Sequence, residues 1–185
     1  TAVAAVVVAV IQTDIMRAEA EMEREHARLS VEPSLWIFQN TNSSLEEGKA
    51  NYSVQLLNKG LGPAVIENFE VSIEGETVLH WWEVVAKLSD GAYQLRGENR
   101  NIMMVGFSSV PPGHIVPAGE TVTPISFTSA DSALVRLLNN SETRPVYSAC
   151  VCSVYKDCWL TTGMGERPKP VDSCKADPER YFRGS

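Results

Sequence analysis

The chain has 185 residues, is 44% hydrophobic and 21% charged, and carries a formal charge of −7. That length and balance suit one folded domain with an appendage and exclude a disordered polymer. No cluster of Lys or Arg supplies the basic footprint needed to displace counterions from nucleic acid, so no nucleic-acid partner is expected.

The chain opens on "TAVAAVVVAVI", apolar from Ala2 to Ile11. Such a run of helix spans about 15 Å, roughly half a bilayer core. A trimmed transmembrane helix fits it best; an uncleaved signal segment and a short buried helix of a soluble protein are the other readings. "QTDIMRAEAEMEREHARLS" continues the helix with strong helix formers and no Gly or Pro before Pro33. Val8, Ile11, Ile15, Ala18, Met22 and Leu29 recur at threes and fours and form a stripe, broken at Glu25. The stripe suits the protein's own domain, a partner helix or a membrane surface. Arg17, Glu19, Glu21, Glu23, Arg24 and Arg28 make the other face, which we read as solvated charge. Ala5 and Ala9 are small residues four apart, a spacing that lets membrane helices approach closely. Ala5, Ala9, Val8, Ile11 and Ile15 are therefore the expected partner-helix contacts. Residues 1–30 become a membrane and juxtamembrane helix, partly transmembrane.

The texture changes at Val31. "SLWIFQN" is a short β-type run, and "ANYSVQLLNKG" alternates polar and apolar residues before a Gly stop. In "LGPAVIENFEVSIEGE", Val65, Glu67, Phe69, Val71 and Ile73 fall on one face of an extended chain. Ile66, Asn68, Glu70, Ser72 and Glu74 fall on the other, with Glu67 and Ile66 each out of place. A turn at Glu74-Gly75-Glu76 ends the strand. "HWWEVVAKLS" gathers Trp81, Val84, Val85 and Leu88 on one helical face, so it reads as a short helix. "NIMMVGFSSV" is a strand, "PPGHIVPAGE" a turn-rich connection and "TVTPISFT" another strand. "SADSALVRLLNNS" has Ser129 or Asp131 as cap and Leu134, Leu137 and Leu138 on one face. "RPVYSACVCSVYKDCWLTT" reads as two strands joined at Tyr155-Lys156-Asp157.

Regularly spaced strands between Gly/Pro turns predict a mainly β domain over 31–162, an antiparallel sandwich with one or two short helices. Residues 163–185 read as an irregular tail. The apolar start, "NKGLGPAVIENFEVSI" and "VPAGETVTPISF" together resemble bacterial extracytoplasmic proteins that join an N-terminal membrane helix to an immunoglobulin-like β-sandwich. That resemblance implies a single-pass protein whose domain faces the periplasm, and it carries no functional residues across.

Cys150 and Cys152 lie two apart in a strand and so share a face. With the hairpin centred on Tyr155, Cys152 and Cys158 stand opposite one another within reach of a bridge. Cys174 is then left for Cys150, which would clamp the tail onto the sheet. Other connectivities, a zinc site, free buried thiols and a redox pair stay open. Zinc sites favour C-x₂₋₄-C pairs, and reactive thiols favour C-x-x-C opening a helix; neither pattern occurs. No metal and no cofactor are expected.

His26, His80 and His114 share no metal-ligand spacing, and no nucleophile elbow, P-loop, H-E-x-x-H or dinucleotide fingerprint appears, so we expect no enzyme. Met103 and Met104 are soft ligands but adjacent in a strand, hence on opposite faces. Trp81 and Trp82 invite a split role, one ring in the core and the other on a surface. They and His114 are the candidate ligand or partner contacts. The leading expectation is a membrane-anchored accessory or scaffold subunit that meets other subunits, or itself, through its leading helix. The alternative is a binding module for a small ligand, peptide or envelope polymer.

Overall fold

A computed structural model describes residues 2–44, 49–88, 102–129, 132–140, 144–175, 177 and 179–184. Among these residues, helix α1 (Ala2–Leu29) leads into ten strands and two short helices. The strands are β1 (Leu35–Ser44), β2 (Lys49–Asn58), β3 (Ala64–Ile73), β4 (Glu76–Val78), β5 (Ile102–Phe107), β6 (His114–Val116), β7 (Thr121–Ser129), β8 (Val146–Cys152), β9 (Cys158–Thr162) and β10 (Lys169–Val171). Helix α2 (Trp81–Leu88) lies between β4 and β5, and α3 (Ser132–Asn139) between β7 and β8.

All strand pairings are antiparallel among the described residues, and they build two sheets. One runs β1-β2-β7-β5; the other runs β10-β9-β8-β3-β4, with β6 also on β3. Leu35, Ile37, Tyr52, Val54, Leu56, Ile125 and Phe127 from the first sheet share one buried cluster with Ile66, Phe69, Val71, Tyr147 and Val151 from the second. The predicted mainly β body is thus present, with two antiparallel layers enclosing one core.

Alternation buries Ala50, Tyr52, Val54, Leu56 and Asn58 in β2, as the sequence pattern requires, and Leu35 and Ile37 at the start of β1. In β3 the alternation slips. Ala64 and Ile66 face the core, then Phe69, Val71 and Ile73 do, because the register against β8 shifts between Ile66 and Asn68. A bulge there adds one residue and flips the parity. The single-face reading of Val65 through Ile73 is corrected accordingly: Val65 and Glu67 are only half-buried, and the misfit of Glu67 and Ile66 was the mark of the bulge. Helix α2 buries Trp81, Val84 and Val85. Glu83 accepts a hydrogen bond from the Leu79 backbone N–H at 2.7 Å, closing the first turn from within. In α3, Val135 and Leu138 are buried; the side chain of Leu134 lies outside the described residues.

The tail is more ordered than its composition suggests. β10 extends the second sheet, and Phe182 is 2% exposed. On one side of β3, β6 covers Ala64–Ile66 and β4 covers Val71–Ile73, leaving a gap between them. Phe182 fills it, donating its N–H to the Phe69 carbonyl at 2.9 Å. Its ring packs edge-on against Phe69 and Trp81, with centroids 5.8 and 4.8 Å away. Arg183 donates to the Leu79 carbonyl at 2.8 Å, and Trp81 donates to that of Gly184 at 3.2 Å. The core therefore draws on residues from Leu35 to Phe182, past the boundary expected at residue 162.

Two devices guard β1, an edge strand. Thr161 Oγ1 donates to the Leu35 carbonyl at 2.7 Å and the Gly165 N–H to that of Ile37 at 2.9 Å. On the outer face, Lys59 Nζ sits 4.7 Å from the ring centres of both Trp36 and Phe38.

Candidate functional site: the sulfur quartet and the free helix

Hairpin β8–β9 turns through Ser153–Asp157, where Lys156 adopts φ 67° and the Ser153 N–H donates to the Asp157 carbonyl at 2.7 Å. Ser153 Oγ accepts from the Tyr155 N–H at 3.1 Å, fixing the turn from inside. The register that results sets Cys152 opposite Cys158. Those two are bridged, and Cys150 is bridged to Cys174 across 24 residues of chain. This is the pairing that the hairpin geometry predicts. Ala149 and Val151 point into the core, so Cys150 and Cys152 lie on the opposite, outer face of the second sheet.

The structure brings all four sulfurs together. Cys174 Sγ is 3.6 Å from Cys152 Sγ, and the Sγ atoms of Cys152, Cys158 and Cys174 lie within 4.8 Å of one another. Every sulfur is committed to a bridge, so the cluster offers no thiolate to a metal. Cys150, Cys152 and Cys158 are buried, whereas Cys174 is partly exposed. A groove of about 340 Å³ runs past Cys150, lined also by Asn68, Glu70, Ser148 and Lys175. Asn68 Nδ2 donates to Glu70 at 2.7 Å, and its buried Oδ1 has no partner among the described residues. A second cleft of about 480 Å³ runs past Cys158, between the β8–β9 turn and the end of α1, with Glu25, Arg28, Leu29 and Asp157 on its walls.

Helix α1 stands away from the body. Residues 7–25 are all exposed, and Val7, Val8, Val10, Ile11 and Ile15 each show about half their surface to solvent. Ala9 is also exposed; the side chain of Ala5 lies outside the described residues. The helix is anchored at its end, where Arg28 makes a two-pronged contact with Asp157 at 2.8 and 3.1 Å. No helix among the described residues is long and apolar enough to cross a membrane.

The aromatic candidates divide. Trp82 is exposed and stacks on His80, with ring centres 5.9 Å apart. Trp81 is 1% exposed and packs on Tyr147 and Phe182, so its expected contact with a ligand or partner is corrected to a core role. Burial follows the helical period, which turns one of two adjacent residues inward. His114 opens β6 opposite Ile66, partly exposed and two strands across from the cysteine-bearing β8. The backbone of Met103 and Met104 lies in β5 as expected, and their side chains lie outside the described residues. Sequence reasoning missed the Arg28–Asp157 anchor and the cleft at Cys158, because both depend on where the helix lands on the hairpin, and it missed the groove at Cys150, because that depends on where the tail crosses the sheet.

The chain matches no family model, no curated protein and no solved structure.

Proposed function

We propose that this protein is a non-enzymatic, membrane-anchored accessory or scaffold subunit of a membrane complex, with its body in an oxidising extracytoplasmic space such as the bacterial periplasm. One observation carries the reading: a 28-residue helix projects from the body with Val7, Val8, Val10, Ile11 and Ile15 uncovered. Apolar side chains left in water on a lone helix contribute nothing to its stability, and isolated helices are marginal. Lipid or a partner helix would cover them. The two disulfides support the compartment, since such bridges persist where thiols oxidise. The layered antiparallel body supports an immunoglobulin-like relationship, in which loops and sheet faces present contact surface while the core is filled. The apolar run is too short to span a bilayer by itself.

Extraction of native membranes in mild detergent, followed by sizing of the complex, tests this reading. We expect a membrane-retained assembly larger than the free chain. Recovery as a free monomer, or release by an alkaline wash, overturns it.

A second reading, a binding module, has its own support. On the outer face of the first sheet, Asn51, Ser53, Gly106, Ser126 and Thr128 line an open trough of about 530 Å³. The trough, which Tyr52 and Phe127 also line, is open rather than a deep pocket and lies on the strands rather than in the "VPPGHIVPAG" loop. It therefore stands second to the anchoring reading.

A further inference from the structure

The two disulfides form one continuous chain of sulfur: Cys150 bonded to Cys174, Cys174 at 3.6 Å from Cys152, Cys152 bonded to Cys158. Its two ends open into different clefts, Cys150 into the groove beside Asn68 and Cys158 into the cleft beneath the end of α1. We propose that the four cysteines are a thiol–disulfide relay that carries a reducing equivalent from the tail groove to the helix cleft.

Entry occurs at Cys150–Cys174, because Cys174 is the one of the four cysteines that is partly exposed. An external dithiol exchanges with this bridge. It leaves as its own disulfide, and Cys150 and Cys174 receive two electrons and two protons. Cys174, as thiolate, is then at van der Waals distance from Cys152 Sγ. Attack there forms the Cys152–Cys174 bond and breaks Cys152–Cys158. Cys158 leaves as thiolate and takes up the proton that Cys174 released, so this step transfers no net electrons. Thiols now stand at Cys150 and Cys158, one in each cleft, while a bridge still holds the tail to the sheet.

The relay needs no helix dipole to activate a thiol. It rests on proximity: sulfurs held in contact exchange as if at very high concentration. From the wall of the helix cleft, the Cys158 thiolate would attack a partner disulfide seated against α1, bonding to one partner sulfur and releasing the other as thiolate, and the tail would not come loose in the process.

Limited reduction of the full chain with less than one equivalent of dithiothreitol, then acid quenching, alkylation and peptide mapping, tests the relay. We expect two-thiol molecules alkylated at Cys150 and Cys158, with a linked Cys152–Cys174 peptide. Two-thiol molecules carrying only the pair Cys150 and Cys174, or only Cys152 and Cys158, overturn the proposal. Cys150→Ser isolates the internal step by leaving Cys174 as a thiol beside an intact Cys152–Cys158 bridge. Alkylation of Cys158 in that variant should exceed that in Cys150→Ser/Cys174→Ser by at least about tenfold. Equal labelling in both would mean that losing the tail bridge merely loosens the hairpin, and it overturns the relay.

Discussion

Tyr52 and Tyr147 meet in the centre of the core, where their hydroxyl oxygens lie 2.5 Å apart and both rings are buried. Burial pushes both phenols above their ordinary range, and for Tyr147 the neighbouring Tyr52 adds to the rise. In the unfolded chain each titrates near pH 10. The folded state keeps its protons above that point while the unfolded state loses them, so folding stability falls as pH rises beyond about 10. The loss approaches about 1.4 kcal/mol per pH unit for each tyrosine. Denaturation midpoints measured from pH 8 to 11 should show it, and the slope should shrink in Tyr52→Phe/Tyr147→Phe. Either single Phe variant leaves one buried hydroxyl deprived of its main partner and should cost about 1–3 kcal/mol, with the double variant costing less than the sum. Asn58 is a second high-stakes residue, fully buried. Its Oδ1 accepts from the Ser34 and Gly60 N–H groups, and its Nδ2 donates to the Gly62 and Val116 carbonyls. Asn58→Ala strands all four backbone groups, and urea titration should show a loss of about 3 kcal/mol or more. A loss under about 1 kcal/mol would mean that water replaces the amide. At this scale the sequence pointed to Cys152–Cys158, because hairpin register follows from the turn, and reached Cys150–Cys174 only by elimination. It was silent on Asn58 and on the tyrosine pair, since both depend on strands distant in sequence.

Helix α1 was legible as an element from its formers and its stripe, as were α2, α3, the β8–β9 hairpin and the long strands. What covers α1 was not, because an apolar stripe reads the same against a core, a helix or a lipid. In the free chain its amides beyond the last turn should exchange with deuterium orders of magnitude faster than those of β3 and β8. Protection matching that of the strands would show a covering contact within the chain. Asp157→Ala removes the anchor at Arg28; global stability should move by no more than about 1 kcal/mol, since the pair is largely solvent-exposed. Exchange in the last turn of α1 should quicken all the same. β6 and β10 escaped sequence reading because three-residue strands carry too few alternations to show a period, and each is recruited by the strand it pairs with.

For the molecule as a whole, mainly β character and two-layer packing followed from alternating strands and turn spacing. The domain limit did not, because a proline-rich tail gives no periodic signal and one buried Phe is easily overlooked. Phe182→Ala would open a cavity bordered by Phe69 and Trp81 and should cost about 3–5 kcal/mol, measurable as a fall in unfolding midpoint. The same value for Tyr181→Ala, whose side chain is only partly buried, would mean that the tail acts as a strap rather than a plug.

That plug has a consequence for how the protein is made. Phe182 follows the Phe69 carbonyl it binds by 182 − 69 = 113 residues. At about 5–20 residues per second, the slot beside β3 stands open for roughly 6–23 seconds after Phe69 is polymerised. During that interval a newborn chain exposes an unpaired backbone stretch and an apolar hole, which invite a stray strand from a neighbour or a waiting chaperone. The two-layer body matures only when Phe182 arrives to evict them.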